Sequence, residues 1–94
     1  MSGVVVANLS PRFNEEVGLD PLLNGVIVVD VERRSFAARR GLRRGYRILS
    51  LNGRDVTSTA DLERRLATAQ RWDLEVDVGG RVVGWCTTER GRRC

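Results

Sequence analysis

The sequence predicts a small, mainly antiparallel α+β domain with five or six strands and one substantial helix. Short apolar or alternating segments recur between turn residues, which is typical of strands. Only one longer segment has apolar residues at helical spacing, with Leu62, Leu66 and Ala69 at i, i+4 and i+7. The 94 residues leave room for one domain. We place that domain at residues 2–87 and expect residues 88–94 to form a flexible tail.

Cap and turn residues set the order of the elements. The predicted strands are Gly3–Leu9, Val26–Val31, Tyr46–Leu51, Leu74–Val78 and Arg81–Thr87. Two short helices are predicted at Pro11–Val17 and Phe36–Arg40, and the long helix follows Thr57–Thr59. Serines precede the short helices as N-caps, and Gly41 ends the second one. Asn52-Gly53 and Gly79-Gly80 are predicted to be tight turns.

Composition excludes several classes of function. The chain has no histidine, which excludes Ser-His-Asp catalysis and His-ligated zinc. We find no defensible nucleophile–base pair, no metal site and no cofactor signature, so we expect no enzyme activity from this chain. The longest apolar runs have four residues, which predicts neither a transmembrane segment nor a signal peptide. Of the two cysteines, we expect Cys86 as a small buried residue and Cys94 as a free thiol, with a disulfide as the alternative.

All sixteen basic residues are arginine, and they concentrate in the middle of the chain. Residues 32–72 hold eleven arginines against four acids, whereas residues 1–31 hold one arginine against four acids. A solvated surface, contacts with a parent protein or neighbouring subunit, and a nucleic-acid surface are three interpretations. Nucleic-acid surfaces usually interleave arginines with stacking aromatics, and only Phe36 and Tyr46 lie nearby. We therefore favour a solvated surface and predict no nucleic-acid partner.

The segment Ser35–Val56 (SFAARRGLRRGYRILSLNGRDV) resembles the core signature of bacterial PDZ domains. The matching positions are Ser35, Ala37, Ala38, Gly41, Leu42, Gly45, Ile48, Asn52, Gly53 and Val56. Segments on both sides are similar to the PDZ domains of HtrA/Deg (protease Do) serine proteases, most of all the second one. Phe36, Arg40 and Tyr46 depart from the pattern, where the family usually has proline, alanine and aspartate.

The resemblance implies a PDZ-like fold: a circularly permuted, antiparallel, partly open barrel or sandwich in which the peptide-facing strand comes first. It also implies binding of an extended or C-terminal peptide segment as an added strand. Backbone amides near Ser2, Gly3 and Val4 would receive the peptide carboxylate. The implied groove residues are Ser2, Gly3, Val4, Val5, Val6, Thr59, Leu62, Glu63 and Leu66. Among them, Val4, Val6, Leu62 and Leu66 would form an apolar pocket for the last side chain of the peptide. These four residues would also be buried in any small domain, so core and pocket stay alternatives for them.

The resemblance further implies a periplasmic module of a serine endopeptidase, which captures substrate segments or regulates the protease. Its partners would be peptide segments, the protease domain of the parent chain and a homo-oligomer formed through the parent. An assembly domain that docks on sibling subunits is the first alternative, and a PDZ domain of another envelope protein is a near variant. A binder of anionic polymers is the least favoured. Met1 and Ser2 stand where family members carry an aromatic or apolar pair, so we expect the chain to be a piece of a longer protein.

Overall fold

The computed structural model describes residues 3–88, which form six strands and three helices. The strands are β1 (Val4–Asn8), β2 (Val26–Val31), β3 (Arg47–Leu51), β4 (Arg54–Asp55), β5 (Arg71–Val78) and β6 (Arg81–Thr88). The helices are α1 (Pro11–Glu16), α2 (Phe36–Arg39) and α3 (Thr59–Thr68). This confirms the predicted α+β class. Of the predicted tail 88–94, Thr88 is the last residue of β6 and pairs with Arg71, and residues 89–94 lie outside the described residues. No helix in 3–88 is long and apolar enough to cross a membrane.

Each helix has a serine N-cap: the predicted serines of the two short helices, and Ser58 from the predicted cap segment Thr57–Thr59. The Oγ atoms of Ser10, Ser35 and Ser58 accept hydrogen bonds from the backbone N–H three residues later, at 3.2, 3.2 and 3.1 Å. These bonds satisfy one of the N–H groups that the first turn of a helix leaves without a partner. The caps therefore fix where α1, α2 and α3 start.

The sheet is antiparallel throughout the described residues, with the order β1-β2-β3-β5-β6 and β4 paired to β3. β1 and β6 thus form its two edges. The pairing of β1 with β2 shifts register between Val5 and Val6, where β2 contains the additional residue Val29. A bulge of this kind bends the strand that carries it. The other register shift lies between β3 and β5.

One apolar core joins the sheet to α2 and α3. Its buried members are Val26, Val28, Ala37, Leu42, Ile48, Leu51, Val56, Leu62, Leu66, Trp72, Leu74, Val76 and Trp85. The Phe36 ring of α2 stacks on Trp72 of β5, with ring centroids 6.1 Å apart. α2 also reaches β6, because Trp85 Nε1 donates to the Arg40 carbonyl at 3.0 Å and Arg40 Nη2 donates to the Cys86 carbonyl at 3.1 Å. Arg40, where the family usually has alanine, therefore connects the end of α2 to the edge strand β6.

The expectation that Cys86 is a small buried residue outside any disulfide is wrong. The Cys86 side chain is disulfide-bonded and only half-buried in β6. Cys94, for which a free thiol was predicted, lies outside the described residues.

Asp77 makes an ion pair across β3 and β5 that depends on pH. Arg47 Nη2 lies 3.0 Å from Asp77 Oδ2, and the Gly80 N–H donates to Asp77 Oδ1 at 2.8 Å. These bonds, first that of Arg47 and then that of Gly80, hold the pKa of the Asp77 carboxyl below its ordinary value of 3.8. Because the unfolded state then binds the proton more tightly, the stabilisation is complete above pH 3.8 and is lost as the pH falls through the lowered pKa.

Asp77→Asn is therefore expected to lower the Tm at neutral pH and to reduce the fall of Tm between about pH 4 and pH 2. Thermal unfolding followed by circular dichroism over this pH range measures both effects. Asp73→Asn is the matched control, because Asp73 is an exposed aspartate of the same strand without an ion pair in residues 3–88. An acid-side slope in Asp77→Asn equal to that of the unmodified protein would contradict this account.

Candidate functional site

β1 is an edge strand whose neighbour in the described chain is β2 alone. The Leu9 N–H donates to the Gly25 carbonyl at 2.8 Å, and the Gly3 carbonyl accepts from the Glu32 N–H at 2.7 Å. Backbone groups alternate in direction along a strand, so the odd-numbered residues of β1 direct their N–H and C=O groups towards β2.

The N–H and C=O groups of Val4, Val6 and Asn8 consequently point to the free edge. The alternation is unbroken along β1, because the additional residue of the bulge belongs to β2. An edge with unpaired backbone groups is a template for pairing with another extended chain. The exposed edge that peptide addition requires is thus part of this fold.

α3 packs against β1 at the end of the strand. The Asn8 side-chain Oδ1 accepts a hydrogen bond of 2.8 Å from the Thr59 backbone N–H, at the first turn of α3. Asn8 shares one face of β1 with Val4 and Val6, since side chains alternate between the two faces. Sequence reasoning missed Asn8, and no local pattern could have indicated it, because its partner lies 51 residues later.

The structure brings together the four apolar residues of the predicted pocket. Leu62 and Leu66 are 1% and 7% exposed and belong to the core, while Val4 and Val6 are half-buried and pack against it. Most of their apolar surface is therefore engaged within the domain. A bound side chain can contact only the parts of these residues that remain open.

The other predicted groove residues differ in exposure. Val5 is 53% exposed and its side chain alternates to the opposite face from Val4 and Val6. Thr59 is half-buried at the start of α3, and Glu63 is exposed on the same helix. Ser2 lies outside the described residues, so its place in the predicted cradle stays a prediction.

Gly3 is required by the fold of this chain itself. Its φ of +83° lies in the left-handed region, and a Cβ at this position would lie 2.8 Å from the Cβ of Ser35. Any side chain at Gly3 would therefore push the start of β1 away from the beginning of α2. The resemblance implies that Gly3 lies among the amides that receive the peptide carboxylate, but its packing on Ser35 is by itself a sufficient reason for glycine at this position.

Three cavities lie elsewhere on the domain. One of about 500 Å³ lies beside β3 and β4, and another of about 500 Å³ lies between α1 and β2. The third, of about 580 Å³, lies between β2 and the segment from α2 to β3. None of these three is lined by a residue of β1 or α3. The edge of β1 therefore lies outside these three cavities. Binding of an added strand depends on backbone hydrogen bonds along an edge and does not require a deep cavity.

We compared the sequence and the fold of this chain with those of known proteins. Residues 3–79 match the family model described as the PDZ domain. The chain belongs to the PDZ domain family. This confirms the resemblance that the signature in Ser35–Val56 indicated, and it assigns most of the chain to this one module.

Curated relatives of this PDZ domain are bacterial proteases. It is 38% identical over 64 residues to a "Probable periplasmic serine endoprotease DegP-like" of Chlamydia pneumoniae, which covers 68% of the chain and 13% of that protein. A relative with the same description in Chlamydia muridarum is 38% identical over 68 residues, covering 72% of the chain and 14% of the protein. The chain thus spans about one seventh of the length of these relatives.

Solved structures show the same fold. The HtrA3 PDZ domain bound to a phage-derived ligand (FGRWV) superposes with a TM-score of 0.79 at 23% identity, over 94% of this chain and 82% of that one. The HtrA-type protease AlgW with a decapeptide also gives a TM-score of 0.79, at 27% identity, over 94% of this chain and 28% of that one. The predicted PDZ-like architecture is therefore confirmed.

Proposed function

We propose that this PDZ domain binds an extended peptide as an additional strand on the free edge of β1. The observation that carries the proposal is the direction of the backbone groups of Val4 and Val6, which leaves them available for pairing. α3 supplies the neighbouring wall and is held to β1 by the bond from Thr59 to Asn8. The decapeptide in the structure of the HtrA-type protease AlgW supports a peptide as the ligand.

The peptide is proposed to enter by its free C-terminus. Backbone amides at the start of β1, near Ser2, Gly3 and Val4, would donate to the terminal carboxylate, and charge-assisted bonds of this kind are stronger than neutral ones. An apolar last side chain would contact the surface that Val4, Val6, Leu62 and Leu66 leave open. A contact this small predicts an affinity that is roughly micromolar or weaker.

We further propose that the domain is the second PDZ module of a periplasmic serine endoprotease. The descriptions of the relatives support this context. In it, the module would capture exposed ends of unfolded proteins and present them to, or regulate, a protease domain on the same parent chain. An oligomer would form through that parent protein.

A titration with two matched peptides tests the peptide function. The ¹⁵N-labelled protein is titrated with a pentapeptide that ends in valine, once with a free carboxylate and once as the amide. Loss of the charge is expected to weaken binding by about tenfold or more, because bonds to a charged group contribute about 1.5–3 kcal/mol. Chemical-shift changes should concentrate in β1 and α3. Equal affinity for the two peptides would refute capture of the carboxylate.

Val6→Pro provides the sharper variant, with Val6→Ala as its control. Proline lacks the outward N–H of Val6 but leaves the ladder between β1 and β2 intact, so an edge strand tolerates it. Alanine keeps the N–H and loses a comparable amount of side-chain packing. We expect Val6→Pro to lose most of its peptide binding and Val6→Ala to retain most of it. Equal binding by the two folded variants would rule out strand addition at this position.

A further inference from the structure

A second surface, at the end of β2 and the segment between α2 and β3, collects positive charge around a cavity. The cavity of about 580 Å³ is lined by Asp30, Val31, Arg33, Ala38, Leu42, Arg43 and Arg44. We call it the arginine pocket. It lies between the end of β2 and the segment that connects α2 to β3, so it shares no residue with the proposed peptide groove.

The three arginines of this pocket have no ion pair within residues 3–88. The ion pairs of the described chain involve Arg12, Arg47, Arg64 and Arg65 instead. Arg33, Arg43 and Arg44 are exposed, and within residues 3–88 their guanidinium groups make no hydrogen bond. Like charges around one cavity repel each other, so an anionic occupant would gain both attraction and relief of that repulsion.

The walls of the arginine pocket discriminate between anions. Leu42 is buried, and Val31 and Ala38 are half-buried, so the cavity also offers apolar surface to its occupant. Asp30 adds a carboxylate, which disfavours a ligand with an unbroken row of negative charges. The nearby aromatics Phe36 and Tyr46 are half-buried and pack against the core, which disfavours stacking of bases on their rings.

An apolar cavity adjoins the arginine pocket through a shared residue. Arg44 also lines the cavity of about 500 Å³ next to α1, whose other walls include Phe13, Val17 and Ile27. Val17 is 52% exposed there. A ligand that places carboxylates on the arginines can therefore place an apolar side chain beyond Arg44. Guanidinium groups bind carboxylates by two parallel hydrogen bonds, which suits Asp and Glu side chains.

We propose that the arginine pocket docks an acidic protein segment in which an apolar residue stands beside two or more carboxylates. This function is separate from strand addition on β1, and neither requires the other. Under this proposal, Arg33, Arg43 and Arg44 bind the carboxylates of a partner protein and are not only hydrated by solvent. Contact with a neighbouring protein was one sequence-based interpretation of the arginines. The proposal places that contact at the arginine pocket and assigns it to acidic side chains of the partner.

The test uses the peptide Glu-Glu-Leu-Glu-Glu-Leu with an acetylated N-terminus and an amidated C-terminus. Amidation removes the terminal carboxylate that the proposed groove on β1 would bind. The result with this peptide therefore tests the arginine pocket independently of that groove. We expect chemical-shift changes in residues 30–44 and a strong decrease in affinity as salt rises, because exposed charges are screened within about 10 Å at about 0.1 M salt. Shifts confined to β1 and α3, or no shifts, would overturn the proposal.

Charge reversal with a matched control separates a site from general attraction. Arg43→Glu with Arg44→Glu should weaken binding of the capped peptide by about tenfold or more. Arg54→Glu with Arg71→Glu makes the same change of charge at two exposed arginines outside the pocket, and it should weaken binding by less than about threefold. Equal losses in the two folded double variants would overturn the proposal.

Two other anionic probes test the class of partner. A single-stranded 12-nucleotide DNA and vesicles that contain phosphatidylglycerol are titrated at about 0.15 M salt. The proposal predicts that the capped acidic peptide binds more tightly than either probe. If the DNA or the vesicles bind more tightly and lose binding with Arg43→Glu and Arg44→Glu, the partner is a different polyanion and the proposal is wrong.

Discussion

Replacing Trp72 by alanine is expected to lower the free energy of unfolding by about 3–5 kcal/mol. Trp72 is 6% exposed in β5, and its ring stacks on Phe36 of α2. Its Nε1 donates to the carbonyls of Leu66 and Ala69 at 3.2 and 3.1 Å, at the end of α3. The truncation leaves a cavity and removes the donor for two carbonyls, so three elements lose their common contact. Urea denaturation measures the change.

Trp72→Phe is the control for this prediction. Phenylalanine keeps an aromatic ring against Phe36 but lacks the indole N–H, so a smaller loss of about 1–2 kcal/mol is expected. Small domains have a total stability of roughly 5–15 kcal/mol, so the alanine variant retains only part of it. A loss in Trp72→Ala no larger than that in Trp72→Phe would contradict the packing role.

Replacing Arg65 by alanine is expected to lower the free energy of unfolding by about 2–3 kcal/mol. The guanidinium of Arg65 donates to the backbone carbonyls of Leu51, Arg54 and Asp55 at 2.6, 3.2 and 2.9 Å. It also pairs with Asp61 at 3.2 Å, and its side chain is only 20% exposed. Arg65 therefore fixes α3, the proposed groove wall, to the hairpin of β3 and β4.

Arg64→Ala is the matched control for Arg65→Ala. Arg64 is the preceding residue of α3 and contacts the same Asp61 carboxylate at 2.7 Å, but its side chain is 76% exposed. Exposed ion pairs contribute about 0–1 kcal/mol, so this variant should differ little from the unmodified protein in urea denaturation. Similar losses in both variants would show that the carbonyl contacts of Arg65 do not stabilise the domain.

Most of the fold was predictable because helix caps, tight turns and strand alternation depend on residues that are close together in the sequence. Serine caps fixed the starts of the helices, and Asn52-Gly53 formed the tight turn, where the backbone φ angles are +52° and +82°. The two-residue strand β4 was missed, because it arises from that turn and carries no periodicity of its own. Alternation identified Leu74 and Val76 in β5, but the strand begins three residues earlier than predicted, at Arg71.

Contacts between distant residues were beyond local reasoning. Asn14 is fully buried and its Nδ2 donates to the carbonyls of Asp20 and Leu23, which organises the loop after α1. Arg40 reaches β6 across 46 residues. Asparagine and arginine are usually exposed, so the sequence alone did not indicate that Asn14 and Arg40 make these long-range contacts.

The site was predictable in outline only. Helical spacing marked Leu62 and Leu66 as one apolar face, but spacing cannot distinguish a face that contacts the core from one that contacts a ligand. The structure places both in the core. What the structure adds is the direction of the backbone groups along β1, which follows from the pairing with β2 and which the side chains do not encode.

Hydrogen exchange at the amides of β1 tests the central claim most directly. In the free protein, the Val5 and Ala7 amides face β2 and should exchange slowly, whereas the Val4 and Val6 amides face solvent and should exchange fast. Saturation with a peptide that has a free, apolar C-terminus should slow exchange at Val4 and Val6 and leave Val5 and Ala7 protected. Binding that leaves Val4 and Val6 exchanging as fast as in the free protein would contradict strand addition on β1.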